Sequence, residues 1–229
     1  MKANGKGTSR AAPADLDALR EAMVRDQIRA RGIVAPRLLE AMLAVPRHEF
    51  VPEGYAELAY GDQPLPIGEG QTISQPFMVA AMIEALELTG AERVLEVGTG
   101  SGYEAALLGR LAQEVFTIEA ISSLAGAALE RLERLGFSNV RVRVGDGSLG
   151  WPEKAPFDAI VVSAAAPRIP PPLVDQLRDG GRLVIPVGDE RQQELLQVRR
   201  RGGDIVSQTL HYCRFVPLVG RYGWRPPGD

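Results

Sequence analysis

Residues 94–102 read Val-Leu-Glu-Val-Gly-Thr-Gly-Ser-Gly, a short apolar run and then three glycines on alternate positions. Such a run reads as a buried strand that ends at Val97. The glycines after it let the backbone turn sharply and lie against a ligand before a helix begins near Tyr103. Glu96 stands inside the strand end, two residues before Gly98. The spacing does not suit a dinucleotide, because G-x-G-x-x-G asks for glycine or alanine at 103, where this chain has Tyr103. A second acid, Glu119, closes the next apolar run, Val115-Phe-Thr-Ile-Glu, 21 residues after Gly98. A carboxylate at that distance is placed to accept the hydroxyls of a ribose. A third acid, Asp146, lies between Gly145 and Gly147 after a run ending at Val144. Alone, Gly-Asp-Gly is a plain turn. As the third in a series of strand ends, its acid is placed to receive an adenine amino group while the backbone nears the ring.

Other chemistries find little here. His48 and His211 are far apart in sequence, and Cys213 is the single cysteine, so no cysteine-rich metal site can be built. There is no Gly-x-Ser-x-Gly elbow and no phosphate-binding G-x-x-x-x-G-K-[ST] loop. His48, in Pro-Arg-His-Glu-Phe, reads as a structural loop residue; His211 and Cys213 read as packing residues of one strand. The 229 residues carry 26 basic and 29 acidic side chains, a formal charge of −3, which disfavours a dedicated nucleic-acid binder. No apolar run approaches the roughly 18–20 residues of a membrane span, and no apolar segment follows Lys2, Lys6 and Arg10 as in a secretory signal. These features predict a soluble cytoplasmic protein without nucleic-acid or membrane partners, with a monomer as the default.

The elements that would position the three acids follow from periodicity. Residues 1–14, rich in small and polar types, read as a disordered extension; 15–229 read as one domain, with a helical segment at 15–90 and a ligand-binding sheet at 91–229. Asp15 is a candidate cap for a helix running to Arg31 and stopped by Gly32, and a second helix spans Pro36–Ala44. Residues 46–76, with five prolines and four glycines, read as a long functional loop, and Pro76–Leu88 as a helix. Strands are then predicted at 93–97, 115–119, 140–144, 157–163 and 181–187, with helices at 103–112, 122–135 and 172–178. Leu195–Arg200 and Ile205–Phe215, joined by Arg-Gly-Gly-Asp, read as an antiparallel hairpin. The sum is an α/β fold: a doubly wound, mostly parallel sheet with helices on both faces and a C-terminal antiparallel hairpin.

Glu-x-Gly-x-Gly-x-Gly at 96–102 is similar to the turn of S-adenosyl-L-methionine-dependent methyltransferases, which have a Rossmann-like fold. In those that act on nucleobase or amide nitrogens, the fourth strand often ends in Asn-Pro-Pro-Tyr or Asp-Pro-Pro-Tyr. Here it ends in Ser163-Ala-Ala-Ala-Pro167, which raises an oxygen acceptor in rank. The loop narrows the family. Residues 59–80, and Gly-Gln-Thr-Ile-Ser-Gln-Pro at 70–76 above all, closely resemble the protein-L-isoaspartate O-methyltransferases. So do Val45-Pro-Arg-His48 with Phe50-Val-Pro52, Gly145-Asp-Gly147, Gly180-Gly-Arg-Leu-Val-Ile-Pro186 and Arg214-Phe-Val-Pro-Leu218, within a resemblance covering about residues 20–224. Ala120, Phe77, Ser163 and Ala35-Pro36 depart from the family's usual residues.

The resemblance implies methyl transfer from S-adenosyl-L-methionine to the free α-carboxylate of an isoaspartyl residue in damaged proteins and peptides. S-adenosyl-L-homocysteine is the product, and the ester closes to a succinimide on the way to repair. It places the active-site hydroxyl at Ser74, with Thr72 beside it. It places Ile67, Gly68, Gly70, Gln75, Glu96, Gly98, Thr99, Gly100, Ser101, Gly102, Glu119, Ala120, Asp146 and Gly147 around the cofactor. It also implies that the last strands depart from the usual methyltransferase order. Ser74 also reads, as the lesser reading, as a cap for the helix starting at Pro76. Two alternatives remain at this stage: a methyltransferase for another oxygen acceptor, and a non-catalytic S-adenosyl-L-methionine-binding module. A nicotinamide dehydrogenase is disfavoured by Tyr103 and by the absence of a Tyr-x-x-x-Lys pair.

Overall fold

The computed structural model describes residues 15–225, so the expected extension at 1–14 lies outside the described residues. Asp15 caps α1 (Leu16–Ala22), its carboxylate accepting from the amides of Asp17 and Ala18 at 3.1 Å. The helical run continues through a widened turn at Met23–Ile28 and a tight one at Arg29–Arg31, and Gly32 ends it with φ 96°. α2 spans Pro36–Ala44.

The stretch 46–76 is not structureless. It holds two short helical turns, Arg47–Phe50 and Ala56–Leu58, and an antiparallel hairpin of β1 (Leu65–Gly68) and β2 (Gln71–Ile73). The hairpin is hidden in the sequence by Pro64 and Pro66, which argue against a strand except at an edge. α3 (Pro76–Glu84) is buried on nearly every side, so its pattern is apolar throughout rather than amphipathic. Its first turn is capped from a distance: the Phe77 amide donates to the carboxylate of Asp62 at 3.1 Å. α3 stops at Glu84, short of Leu88, because the following carbonyls are claimed by the sheet. Gln197 donates to the Ala85 carbonyl at 2.6 Å, and Arg182 to those of Leu86 and Glu87.

The main sheet has seven strands: β3 (Arg93–Val97), β4 (Glu114–Glu119), β5 (Val140–Val144), β6 (Phe157–Val162), β7 (Leu177–Gly188), β8 (Gln193–Arg201) and β9 (Asp204–Cys213). Their spatial order is β5-β4-β3-β6-β7-β8-β9. The first five run parallel, and β8 and β9 return antiparallel as the expected hairpin, in chain order at the sheet's edge. Helices α4 (Tyr103–Leu111), α5 (Ser122–Arg134) and α6 (Pro171–Asp175) make the crossovers. α6 is shorter than predicted and β7 begins earlier, at Leu177. Arg200 binds the carbonyls of Asp175 and Leu177 at 3.1 and 2.8 Å, drawing the chain out of the helix onto the sheet.

Strand alternation divides the core in two. Val94, Val115, Ala159, Val161 and Val184 face α1–α4, while Leu95, Phe116, Ile160, Val162 and Leu183 face α6 and Trp151. Because β4 and β5 lie on one side of β3 and β6 on the other, the crevice where the strand order reverses opens at the carboxyl ends of β3, β4 and β6.

Removing the distant cap should loosen the helix that follows the loop of Ser74. We expect Asp62→Ala to lower unfolding stability by about 0.5–2 kcal/mol, read as a shift in urea midpoint. Asp62→Asn, which keeps an acceptor, should retain most of it. Equal losses in both variants would assign the effect to the Asp62–Arg31 ion pair (2.6 Å) instead.

Candidate active site

The turn after β3 is built from backbone. Gly98, Gly100 and Gly102 all take left-handed angles, with φ of 97°, 52° and 89°. The Gly98 amide donates to the Ile118 carbonyl of β4 at 2.8 Å. A side chain at Gly100 would come within 3.3 Å of Ile67 from the β1–β2 hairpin, so the hairpin folds down onto the turn. Arg131 of α5 holds the Ser101 carbonyl from behind at 2.7 Å, and the Ser101 hydroxyl accepts from the Tyr103 amide at 3.3 Å as α4 begins. The hydroxyls of Thr99 and Thr117 meet at 2.6 Å.

Beyond this turn lies a cleft of about 360 Å³. Its walls include Thr72, Ser74, Gly98, Thr99, Gly100, Ser101, Glu119, Ala120 and Gly147, which the fold thus brings together. Glu119 is anchored by accepting from the amides of Gly100 (2.8 Å) and Ile121 (3.0 Å), one on each carboxylate oxygen, so each keeps capacity for a further donor. The left-handed glycines, the anchored acid and the apolar wall of Ile118, Ile121 and Leu218 suit a nucleoside with a polar tail.

Other predicted residues stand behind this wall. Gly102 starts α4. Gly68 and Gly70 shape the hairpin turn with φ of 94° and 68°, while Ile67 reaches the glycine turn. Gln75 faces the neighbouring cavity instead. The Asp146 carboxylate accepts from the amide and hydroxyl of Ser148 (2.9 and 2.6 Å) and from the Arg221 amide (2.8 Å), and lines a recess beside the cleft. Gly147 forms the wall itself, where a side chain would collide with Val97.

Glu96 is fully buried beneath the turn, and neither carboxylate oxygen has a hydrogen-bond partner among the described residues. Burial, and then the neighbouring Glu104, raise its pKa well above the usual carboxylate range. Glu104, unlike Glu96, lines the cleft. It accepts from the Ser163 hydroxyl at the end of β6, and burial pushes it up to about 7. Sequence reasoning missed Glu104, because an acid in a helix's first turn usually faces water.

A second cavity of about 710 Å³ adjoins the first, and the two share Thr72, Ser74, Ser163, Val216 and Pro217. Its far wall includes Met78, Tyr212, Phe215 and Trp224. The segment after β9 reaches it by crossing the strand ends: the Ala165 amide donates to the Val216 carbonyl and the Leu218 amide to that of Ala165, both at 2.8 Å. Ser74 is half-buried, Thr72 exposed. The Ser74 hydroxyl makes no hydrogen bond to a described residue, since Asp62 caps α3 in its place. Cys213 also lines this cavity, but burial raises its thiol to about 11, so it is not a nucleophile near neutral pH. His48 meets the Tyr60 hydroxyl at 2.6 Å, and His211 packs edge-on against Phe77, and neither forms part of the walls of either cavity. Among the described residues, no group of three potential ligands could hold a metal ion, and no helix is long and apolar enough to cross a membrane.

The sequence model of the protein-L-isoaspartate(D-aspartate) O-methyltransferase family matches residues 18–223. The chain belongs to this family. A protein-L-isoaspartate O-methyltransferase of Syntrophus aciditrophicus (strain SB) is 57% identical over 205 residues, spanning 88% of this chain and 94% of the relative. One of Geobacter metallireducens is 54% identical over 211 residues, spanning 92% and 98%. Among solved structures, a protein-L-isoaspartate O-methyltransferase superposes with a TM-score of 0.82 at 30% identity, over 89% of this chain and 67% of its own. A putative family member from Plasmodium falciparum, in complex with S-adenosyl-L-homocysteine, superposes with a TM-score of 0.76 at 27% identity, over 87% and 98%. The family match thus spans the sheet and the segments on either side of it.

The raised acid has a stability consequence. With Glu104 near 7 when folded and 4.5 as its ordinary value, the folded chain holds more protons than the unfolded one between those pH values. Stability from this group is therefore lost as pH rises through that window. Relative to the native chain, Glu104→Gln should gain about 1–3 kcal/mol between pH 5 and 8. Urea unfolding at both pH values measures this, and a difference independent of pH would show that Glu104 ionises normally.

Proposed function

We propose that Ser74, at the junction of the two cavities, holds the α-carboxylate of an L-isoaspartyl residue while the cofactor occupies the cleft of the glycine turn. The reaction is that of the family: methyl transfer from S-adenosyl-L-methionine to isoaspartyl residues of proteins and peptides. When bound, the cofactor supplies a methyl group on a sulfonium, an intrinsically good donor. An α-carboxylate with an ordinary pKa of about 3.5 is already ionised at neutral pH, so the chain need supply no general base. Its task is alignment and exclusion of water.

The residues divide the work in this reading. Gly98–Gly102 receive the cofactor's amino-acid end against bare backbone, and Glu119 takes the ribose hydroxyls with its remaining acceptor capacity. Gly147 lets the adenine approach, with Asp146 beside it. Ser74 donates one hydrogen bond to the acceptor carboxylate, firmly enough to orient it without quenching it. Thr72, on the same strand end, flanks the path between the cavities. What carries this reading is that the cofactor cleft and the second cavity meet at an uncommitted Ser74 hydroxyl. The compartment we propose is the cytoplasm, supported by the single cysteine, which leaves no intrachain disulfide to form.

Labelled S-adenosyl-L-methionine with paired peptides differing only in aspartyl or isoaspartyl linkage tests the assignment. Base-labile label should appear on the isoaspartyl peptide alone. Ser74→Ala should lower turnover about ten- to thousandfold with cofactor affinity largely kept. Unchanged turnover would remove Ser74 from the mechanism.

A further inference from the structure

Among the described residues, one cation is fully buried, and it lies directly behind the acceptor loop. Arg47, in the helical turn after Pro46, has no exposed surface. Its Nε donates to the Ala59 carbonyl at 2.7 Å and its Nη2 to the Ser74 carbonyl at 2.8 Å. The guanidinium lies over the Tyr103 ring, 4.8 Å from its centre, and Tyr103 is a wall residue of the cofactor cleft. Nη1 has no hydrogen-bond partner, and no carboxylate among the described residues forms an ion pair with Arg47. The groups facing it are Tyr103, Tyr60 and, more weakly, Asp62. Burial lowers its pKa to about 10, which leaves it charged at neutral pH.

This arrangement is costly. An arginine taken out of water without a counter-charge carries a desolvation penalty that two carbonyl bonds offset only in part. Tying Ala59 to Ser74 does not by itself call for a cation, since a neutral amide side chain can also donate to carbonyls. A standing positive charge gains value where the group that arrives beside Ser74 is an anion, in surroundings that screen charge poorly.

We propose that Arg47 is a positioning residue for methyl transfer: it sets Ser74 through the main-chain carbonyl and supplies the fixed positive charge that favours a carboxylate acceptor over a neutral one. This rests on the reading of Ser74 as the acceptor site. The guanidinium does not touch the reacting atoms; it acts through the loop and through its field. The tether and the charge are separable. Arg47→Lys keeps the charge and loses the two-pronged geometry. Arg47→Gln keeps a donor and loses the charge.

The experiment compares native chain, Arg47→Lys and Arg47→Gln with two peptides: one bearing the free isoaspartyl α-carboxylate, and the same peptide with that carboxylate capped as an amide, used as an inhibitor. Transfer to the free-carboxylate peptide by the native chain checks the reading of the site itself. Arg47→Gln should cut the binding preference for carboxylate over amide about tenfold, while Arg47→Lys keeps it within about threefold. Both variants should lower kcat through the displaced Ser74, with the dissociation constant for S-adenosyl-L-methionine held within about threefold. Equal weakening of both peptides by Arg47→Gln, or equal loss of preference in both variants, would reduce Arg47 to a structural strut. If Arg47→Gln fails to fold, Arg47→Lys carries the test. A lowered kcat with the preference intact supports the proposal, and native kcat or a lost preference overturns it.

Discussion

The backbone at the end of β3 has to turn through left-handed angles with neighbours packed close against it. Ser163 closes on Gly98, Ile67 on Gly100, and Ala128 with Leu132 on Gly102. Those neighbours come from the end of β6, the β1–β2 hairpin and α5, so three distant segments converge on one five-residue turn. Three left-handed glycines make that approach sterically possible. They also leave the amides around them available, and two of the site's polar anchors, the Gly98–Ile118 and Gly100–Glu119 bonds, start from this turn.

The Ser74 side of the cleft is assembled by a different device. No regular element carries Ser74; it sits between the short β2 and the first turn of α3. Its position is therefore set by long-range bonds to its surroundings. Asp62 caps α3, Arg31 pairs with Asp62 and stacks on Phe77, and Arg47 grips the Ser74 carbonyl. A helix as uniformly apolar as α3 is locked into the core, which turns its first turn into a rigid support for a loop that lacks one of its own.

Much of this was legible in the sequence. Strands 93–97 and 140–144 and the helix Pro36–Ala44 were placed to the residue, because apolar runs bounded by glycine, proline and acids leave little choice of boundary. The glycine turn and Glu119 were found by spacing and stand at the cleft. What was not legible depends on distant partners. The hairpin at 65–73 is too short and too rich in proline to show a period. The ends of α3 and α6 are set by Arg182, Gln197 and Arg200, more than twenty residues further along the chain. Arg47 and Glu104 look like surface charges in sequence, and only packing reveals that both are buried.

The strap formed by Val216–Leu218 across the ends of the parallel strands ties the two chambers to the antiparallel edge of the sheet. The glycine turn, the acids and the hydroxyl of Ser74 all precede it in the chain. Without it, both chambers would lack two of their shared walls, Val216 and Pro217. The β8–β9 hairpin therefore does more than extend the sheet: it delivers to the strand ends the segment that encloses both cavities.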